Sequence, residues 1–164
     1  MHFNSAHEET HAGGGGGETW LVCRSGARLC ALSLAHVHEV MRPPPIEVLA
    51  GAPRFVLGVC VLRGEPVPVV HAGLMLGEEP AGFALLVRLR AGGRTVALAV
   101  DAVAGIRSGV TGTLESMPPL LRTAAADTVA AIRLLDRELL YVLNEARVVP
   151  AAVFGLLEAA GGDR

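Results

Sequence analysis

The sequence predicts a mainly β fold: two barrel-like halves of about five strands each, closed by a C-terminal helix. Three observations carry this expectation. Short apolar runs recur along most of the chain, and Gly and Pro clusters punctuate them at regular intervals. The length, 164 residues, suits one domain or two small halves sharing a core, and 51% apolar against 18% charged residues is a globular composition.

Residues 1–18 contain the run Gly13–Gly17 and few apolar residues, and read as a flexible tail in which His2, His7 and His11 are solvated. Order is expected from Thr19. Trp20–Cys23 reads as a strand, Ser25-Gly26 as a turn, and Arg28–Leu32 as the returning strand. Ser33 is placed to cap a short helical turn, with Leu34 and Val37 facing inward. His36 to Val40 leads into another extended piece, and Pro43-Pro44-Pro45 then forbids regular structure.

Gly51-Ala52-Pro53 marks a second entry point. Phe55–Leu62 reads as a strand, Arg63-Gly64-Glu65 as its turn, and Pro66–Val70 as the return. Pro66 and Pro68 stand two apart, so their missing N–H groups lie on one lateral side. That predicts an edge strand, or a bulged one, pairing mainly through its other side. Ala84–Leu89, a turn at Ala91-Gly92-Gly93 and Thr95–Val100 form the next hairpin, and Ala102–Ile106 is expected to continue the same sheet past Asp101. Met117-Pro118-Pro119 breaks the chain. Val129–Leu135 and Leu139–Leu143, joined at Asp136-Arg137, make a third hairpin. Glu145 to about Ala160 reads as a helix, with Val149, Val153, Phe154, Leu156 and Leu157 on or near one stripe and a start at or near Pro150. The domain is expected over residues 19–157, with 158–164 as a C-terminal tail.

Composition excludes several functions. Net charge is −2, from 14 basic and 16 acidic residues, and aromatics are 4%. A nucleic-acid groove needs basic residues with interleaved aromatics, so none is expected. The longest stretch without a charge is about a dozen residues, short of the ~18 a membrane helix needs, so no direct membrane insertion is expected. No basic segment followed by an apolar one opens the chain as a secretory signal would. Cys23, Cys30 and Cys60 sit inside apolar runs and read as buried thiols of a reducing compartment, although a Cys23–Cys30 bridge across the first hairpin is geometrically conceivable. No Ser/His/Asp order, P-loop or H-E-x-x-H motif is present, and no cofactor is expected. The one constellation with metal-ligand character is His36, His38 and His71, the first two on one face of an extended segment.

The run Pro53-Arg54-Phe55-Val56-Leu57-Gly58-Val59-Cys60-Val61-Leu62-Arg63-Gly64-Glu65-Pro66-Val67-Pro68-Val69-Val70 resembles the signature of CheW-like domains: a P-x-F entry with a following glycine, then L-R-G, then a Pro-containing apolar strand. Val37-His38-Glu39-Val40 is similar to the family's V-x-E-I. Val96–Val103, with Val100-Asp101, is similar to its V-D-x-V segment. The resemblance spans about Trp20 to Leu157. It departs at Val61, where the family usually has Asn, and at His71-Ala72, where it usually has Asp-Leu.

The resemblance implies two SH3-like five-stranded barrels on a shared core. It also implies a non-enzymatic, cytoplasmic adaptor of two-component signalling, recruited to membrane receptor arrays through its partners. Those partners would be a CheA-like histidine kinase and the cytoplasmic tip of a methyl-accepting chemoreceptor, the latter in a groove between the barrels. The alternatives are an adaptor for another chemosensory output, such as twitching motility or development, and, more distantly, a small metal enzyme using His36, His38 and His71. Spacing alone makes Arg63 a solvated turn residue and Glu39 a surface carboxylate; the resemblance makes both partner contacts, paired with each other in the free protein. It likewise assigns Val37, Leu62, Gly58 and Gly64 to the docking surface, with Gly58 serving backbone geometry first. Arginine suits such a position because its planar fork makes several directed hydrogen bonds while its stem lies on apolar surface.

Overall fold

A computed structural model describes residues 18–79, 81–108 and 128–161. Ten strands follow one another: β1 (Thr19–Ser25), β2 (Arg28–Ser33), β3 (Val37–Met41), β4 (Val56–Leu62), β5 (Glu65–His71), β6 (Leu85–Ala91), β7 (Arg94–Val100), β8 (Ala102–Ser108), β9 (Val129–Leu135) and β10 (Glu138–Leu143). Two helices, α1 (Ala72–Met75) and α2 (Ala151–Gly161), complete the described fold with short 3-10 turns at Leu34–His36 and Glu145–Arg147. The expected tail before Glu18 and the Met117-Pro118-Pro119 break lie outside the described residues.

The strands form two five-stranded sheets, in the orders β8-β1-β2-β10-β9 and β3-β6-β7-β5-β4. Each is an antiparallel hairpin joined in parallel to a second hairpin, with one more strand on the outside. The expected mainly β fold of two five-stranded halves with a terminal helix is the fold found. The halves are not consecutive in the chain. The first hairpin pairs with strands from the end of the sequence, and the five strands between them build the other sheet.

The strands alternate between two apolar environments. On β1, Leu21 and Cys23 face a core shared by both sheets, while Trp20 and Val22 face an inner cluster with Leu29, Ala31, Leu140 and Val142. On β7, Val96, Leu98 and Val100 enter the shared core, while Ala97 and Ala99 pack with Cys60, Leu62, Val67, Val69 and Leu86. Burial on both faces explains why these strands read as continuous apolar runs rather than as alternation. Cys23, Cys30 and Cys60 are free and buried. Cys23 and Cys30 stand directly opposite in the β1–β2 ladder without a bridge, and the hydrogen bond between them, with burial, holds the Cys30 thiol protonated.

Three expectations are corrected. First, β5 is an interior strand. Its two-residue turn makes Leu62–Glu65 a hydrogen-bonded pair, so alternation turns the nitrogens of Pro66 and Pro68 away from β4. On that side the parallel ladder to β7 begins only at Val69, beyond both prolines, so pairing through the other side holds for the first half of the strand. Second, β8 does not continue the sheet of β7. At Asp101 the chain crosses to β1, and this crossing is tied by two bonds: the Asp101 N–H donates to the Arg24 carbonyl at 2.8 Å, and the Gly26 N–H donates to Asp101 Oδ2 at 2.7 Å. Third, the Ser33 side chain makes no capping bond. Instead its N–H donates to Glu145 Oε1 at 2.7 Å, joining the end of β2 to the turn before α2. The helix begins just after Pro150, the start expected at or near that proline, with Glu145–Arg147 as a 3-10 turn before it; the missing proline N–H costs nothing there.

The β9–β10 turn carries two non-glycine residues at positive φ, Asp136 (+48°) and Arg137 (+72°). Left-handed backbone is sterically unfavourable for both, and Arg137 is exposed. Arg137→Gly is therefore expected to raise stability by about 0.5–1 kcal/mol, read as an increased urea midpoint. An unchanged or lowered midpoint would show that the arginine side chain contributes more than the backbone strain it imposes.

Candidate functional site

Glu39 lies on β3, the outer strand of its sheet, directly opposite Arg88 of β6. The β3–β6 register shifts between Val37 and Glu39, and the Glu39 side chain is left only 11% exposed. A carboxylate so buried must be compensated. Two arginines do this on one oxygen. Arg63 donates from Nη2 at 2.8 Å and from Nε at 3.2 Å, and Arg88 donates from Nη2 at 3.1 Å, all to Oε2. The Arg63 guanidinium, opposed by burial and reinforced by Arg88, holds the Glu39 carboxyl below the usual glutamate range. The expected Glu39–Arg63 pair is present. Arg88 was not singled out from the sequence, although an arginine at the centre of the apolar β6 strand signals a counter-charge nearby.

Arg63 and Gly64 are the two central residues of the β4–β5 turn, at φ +51° and +78°. Positive φ at both positions is the turn that matches strand twist, and it favours Asn-Gly or Gly-Gly. Arg63 occupies it at a steric cost, with 62% of its side chain exposed. Asp136 and Arg137 share this conformation in the β9–β10 turn; what sets Arg63 apart is that its guanidinium is seated on Glu39. Gly64 has open space where a Cβ would stand.

The other expected site residues serve the fold in different degrees. Gly58 (φ +149°) lies where the segment after the triple proline crosses β4: a Cβ would come within 1.9 Å of the Glu47 carbonyl oxygen. That close approach permits the paired bonds between Glu47 and Val59, at 2.8 and 2.7 Å. Leu62 is 6% exposed and packs with Cys60, Val67 and Val69, so its side chain belongs to the core rather than to a docking surface. Val37 is half-buried against the shared core. Val61, in place of the family's Asn, is exposed beside the turn.

A cleft of about 740 Å³ opens beside this cluster. Glu39, Met41 and Arg63 line it from one sheet, and Asp101, Ala102 and Val103 line it from the start of β8 in the other. It therefore lies between the two halves, walled by their outer strands β3 and β8.

The histidine constellation does not assemble. His36 sits in the 3-10 turn, before the strand that holds His38; both are exposed, and His36 Nδ1 is 3.6 Å from Glu145 Oε2. His71 is buried. Its Nδ1 accepts from the Leu74 N–H at 3.1 Å, capping α1, so Nε2 carries the proton and donates to the Ala81 carbonyl at 3.0 Å. Among the described residues, no three His, Cys, Asp or Glu side chains come together as a metal site would require. At the end of β5, where the family usually has Asp, the histidine itself supplies the capping acceptor.

Two outcomes follow from this geometry. Gly58→Ala forces β4 and the 46–47 segment apart and is expected to cost about 3 kcal/mol, read by chemical denaturation. A cost under about 1 kcal/mol would mean that the crossing relaxes freely. Because Glu39 titrates lower in the folded than in the unfolded chain, its contribution is complete above the usual glutamate range. It is lost as pH falls through that range toward the folded value. The wild type should lose stability more steeply over this window than Glu39→Gln; parallel profiles would overturn the assignment.

The chain was compared with known proteins. The CheW-like domain family matches residues 19–153. The chemotaxis protein CheW of Klebsiella aerogenes is 21% identical over 145 residues, 87% of each chain. That of Rhizobium meliloti is 32% identical over 94 residues, 56% of this chain and 61% of the relative. Among solved structures, the scaffolding protein TtCheW from Thermoanaerobacter tengcongensis superposes with a TM-score of 0.65 at 21% identity, covering 77% of this chain and 88% of that one, and so shares the fold. With the family matched over most of its length, and its glutamate and turn arginine bonded to each other beside the inter-sheet cleft, this chain belongs to the CheW-like domain family.

Proposed function

We propose that this chain is a chemotaxis coupling adaptor without catalysis of its own, joining the cytoplasmic tip of a methyl-accepting chemoreceptor to a CheA-like histidine kinase. The observation that carries this reading is Arg63: an exposed guanidinium, held in left-handed backbone at the rim of the cleft between the sheets and seated on a buried carboxylate. The guanidinium is bonded to Glu39 by two of its nitrogens and still has most of its surface in solvent, so it is free to meet a partner. The cleft beside it is open at the boundary of the two halves and lined by aliphatic as well as charged side chains, which suits a helical segment of a partner. No helix among the described residues is long and apolar enough to cross a membrane. The protein acts in the cytoplasm and reaches the receptor array through its partners.

Binding of the cognate kinase regulatory domain and of a receptor cytoplasmic fragment tests this directly. Arg63→Ala is expected to weaken at least one of them by about 5- to 150-fold, or roughly 1–3 kcal/mol, while stability falls by only about 1 kcal/mol because Arg88 remains on the Glu39 carboxylate. Arg63→Lys should restore only part of the affinity, because an ammonium lacks the planar fork. Unchanged affinity for both partners would overturn the reading, as would enzymatic turnover that copurifies with the chain.

A further inference from the structure

We propose that Arg88 is a positioning residue: it keeps the Glu39 carboxylate compensated when Arg63 leaves it for an acidic side chain of the partner, so that the Arg63–Glu39 bond is an exchangeable seat rather than a fixed pair. This rests on the reading of Arg63 as a partner contact.

Three features separate the two arginines. Arg63 stands on a turn with 62% of its side chain exposed, whereas Arg88 is 18% exposed and sits opposite Glu39 in the ladder of β6, a strand flanked by β3 and β7. Arg88 Nε is buried without a hydrogen-bond partner among the described residues, so its guanidinium is enclosed rather than presented to solvent. Both arginines bind the same oxygen, Oε2, so Arg88 still holds it when Arg63 leaves.

The consequence is electrostatic. A carboxylate covered as Glu39 is by its arginines loses stability when it is left unpaired. If Arg63 were its only partner, every contact Arg63 made elsewhere would carry that cost. With Arg88 fixed on Oε2, Arg63 can exchange one carboxylate for another. Two guanidinium groups on one carboxylate also leave a net positive charge at the rim, which matches an acid on the partner. Arg42 and Asp101 line the same cleft and remain the same in every variant below.

Carbon-detected NMR titration of the Glu39 side-chain carboxyl in the free protein is the first measurement. In Arg63→Ala combined with Arg88→Met it should titrate clearly higher than in Arg63→Ala alone, because Arg88 is what then holds the carboxylate. Equal titration in the two variants would overturn the assignment. The second measurement is affinity for whichever partner Arg63→Ala weakens. Arg88→Met should weaken it by about tenfold or more although the residue is enclosed, Arg88→Lys should retain most of it, and adding Glu39→Gln to Arg88→Met should recover affinity because no carboxylate is then stranded. Unchanged affinity in Arg88→Met, or no recovery with Glu39→Gln, would overturn the proposal. Should Arg88→Met fail to fold, the affinity of Arg88→Lys decides it. Should the wild type bind neither partner, the adaptor reading falls, and the titration still decides whether Arg88 holds Glu39.

Discussion

The constraint on which the rest depends is that the central strands bury both of their faces. One face of each enters the core shared by the sheets and the other enters a smaller cluster within its own sheet. Neither face can then carry polar side chains without compensation, so charge is pushed to turns, outer strands and crossings. The polar contacts follow this rule. Asp101 ties the crossing between sheets to the β1–β2 turn, Glu145 receives the N–H at the end of β2, and His71 caps the helix that follows β5. Each stands where a strand ends or the chain changes sheet.

Arg88, on the interior strand β6, departs from that rule, and it stands opposite Glu39 of the outer strand β3. Their pairing draws Arg63 across from the β4–β5 turn, at the far edge of the same sheet order. A buried carboxylate thus sets where an exposed arginine rests. The same geometry places the turn beside the cleft between the halves, because β3 and β8 are the outer strands that face each other there. The site is a product of the sheet edges.

Much of this was legible because the relevant signals are local. The hairpins at Gly92-Gly93 and Asp136-Arg137, the strand before Arg63 and the helix start beside Pro150 are set by turn chemistry and apolar runs within a few residues of each other. Glu39 and Arg63 were found by resemblance rather than by spacing, since nothing local distinguishes a paired carboxylate from a solvated one. Leu62 is a core residue by its apolar type and a docking residue only by its match to the family, and the core is where it lies. It sits beside a contact residue in sequence, but strand alternation turns it to the other face, into the core. Arg88 is legible as a charge inside an apolar strand, but its partner is not, because only the ladder brings Glu39 opposite it.

The sequence by itself determined that the chain would be mainly β, where most strands and turns fall, that the cysteines would be buried, and that a helix would follow Pro150. These depend on backbone preference and apolar content, which neighbouring residues decide. The tertiary structure alone decided which strands share a sheet. An apolar run buried on both faces carries no mark of its partner, so β8 could as well have extended the sheet of β7, and β5 could as well have been an edge. The choice was made by long-range closure. The first hairpin is completed by β8 on one side and, on the other, by β10, which lies more than a hundred residues later and runs parallel to β2, and only that closure sets the two halves against each other and opens the cleft beside Glu39 and Arg63.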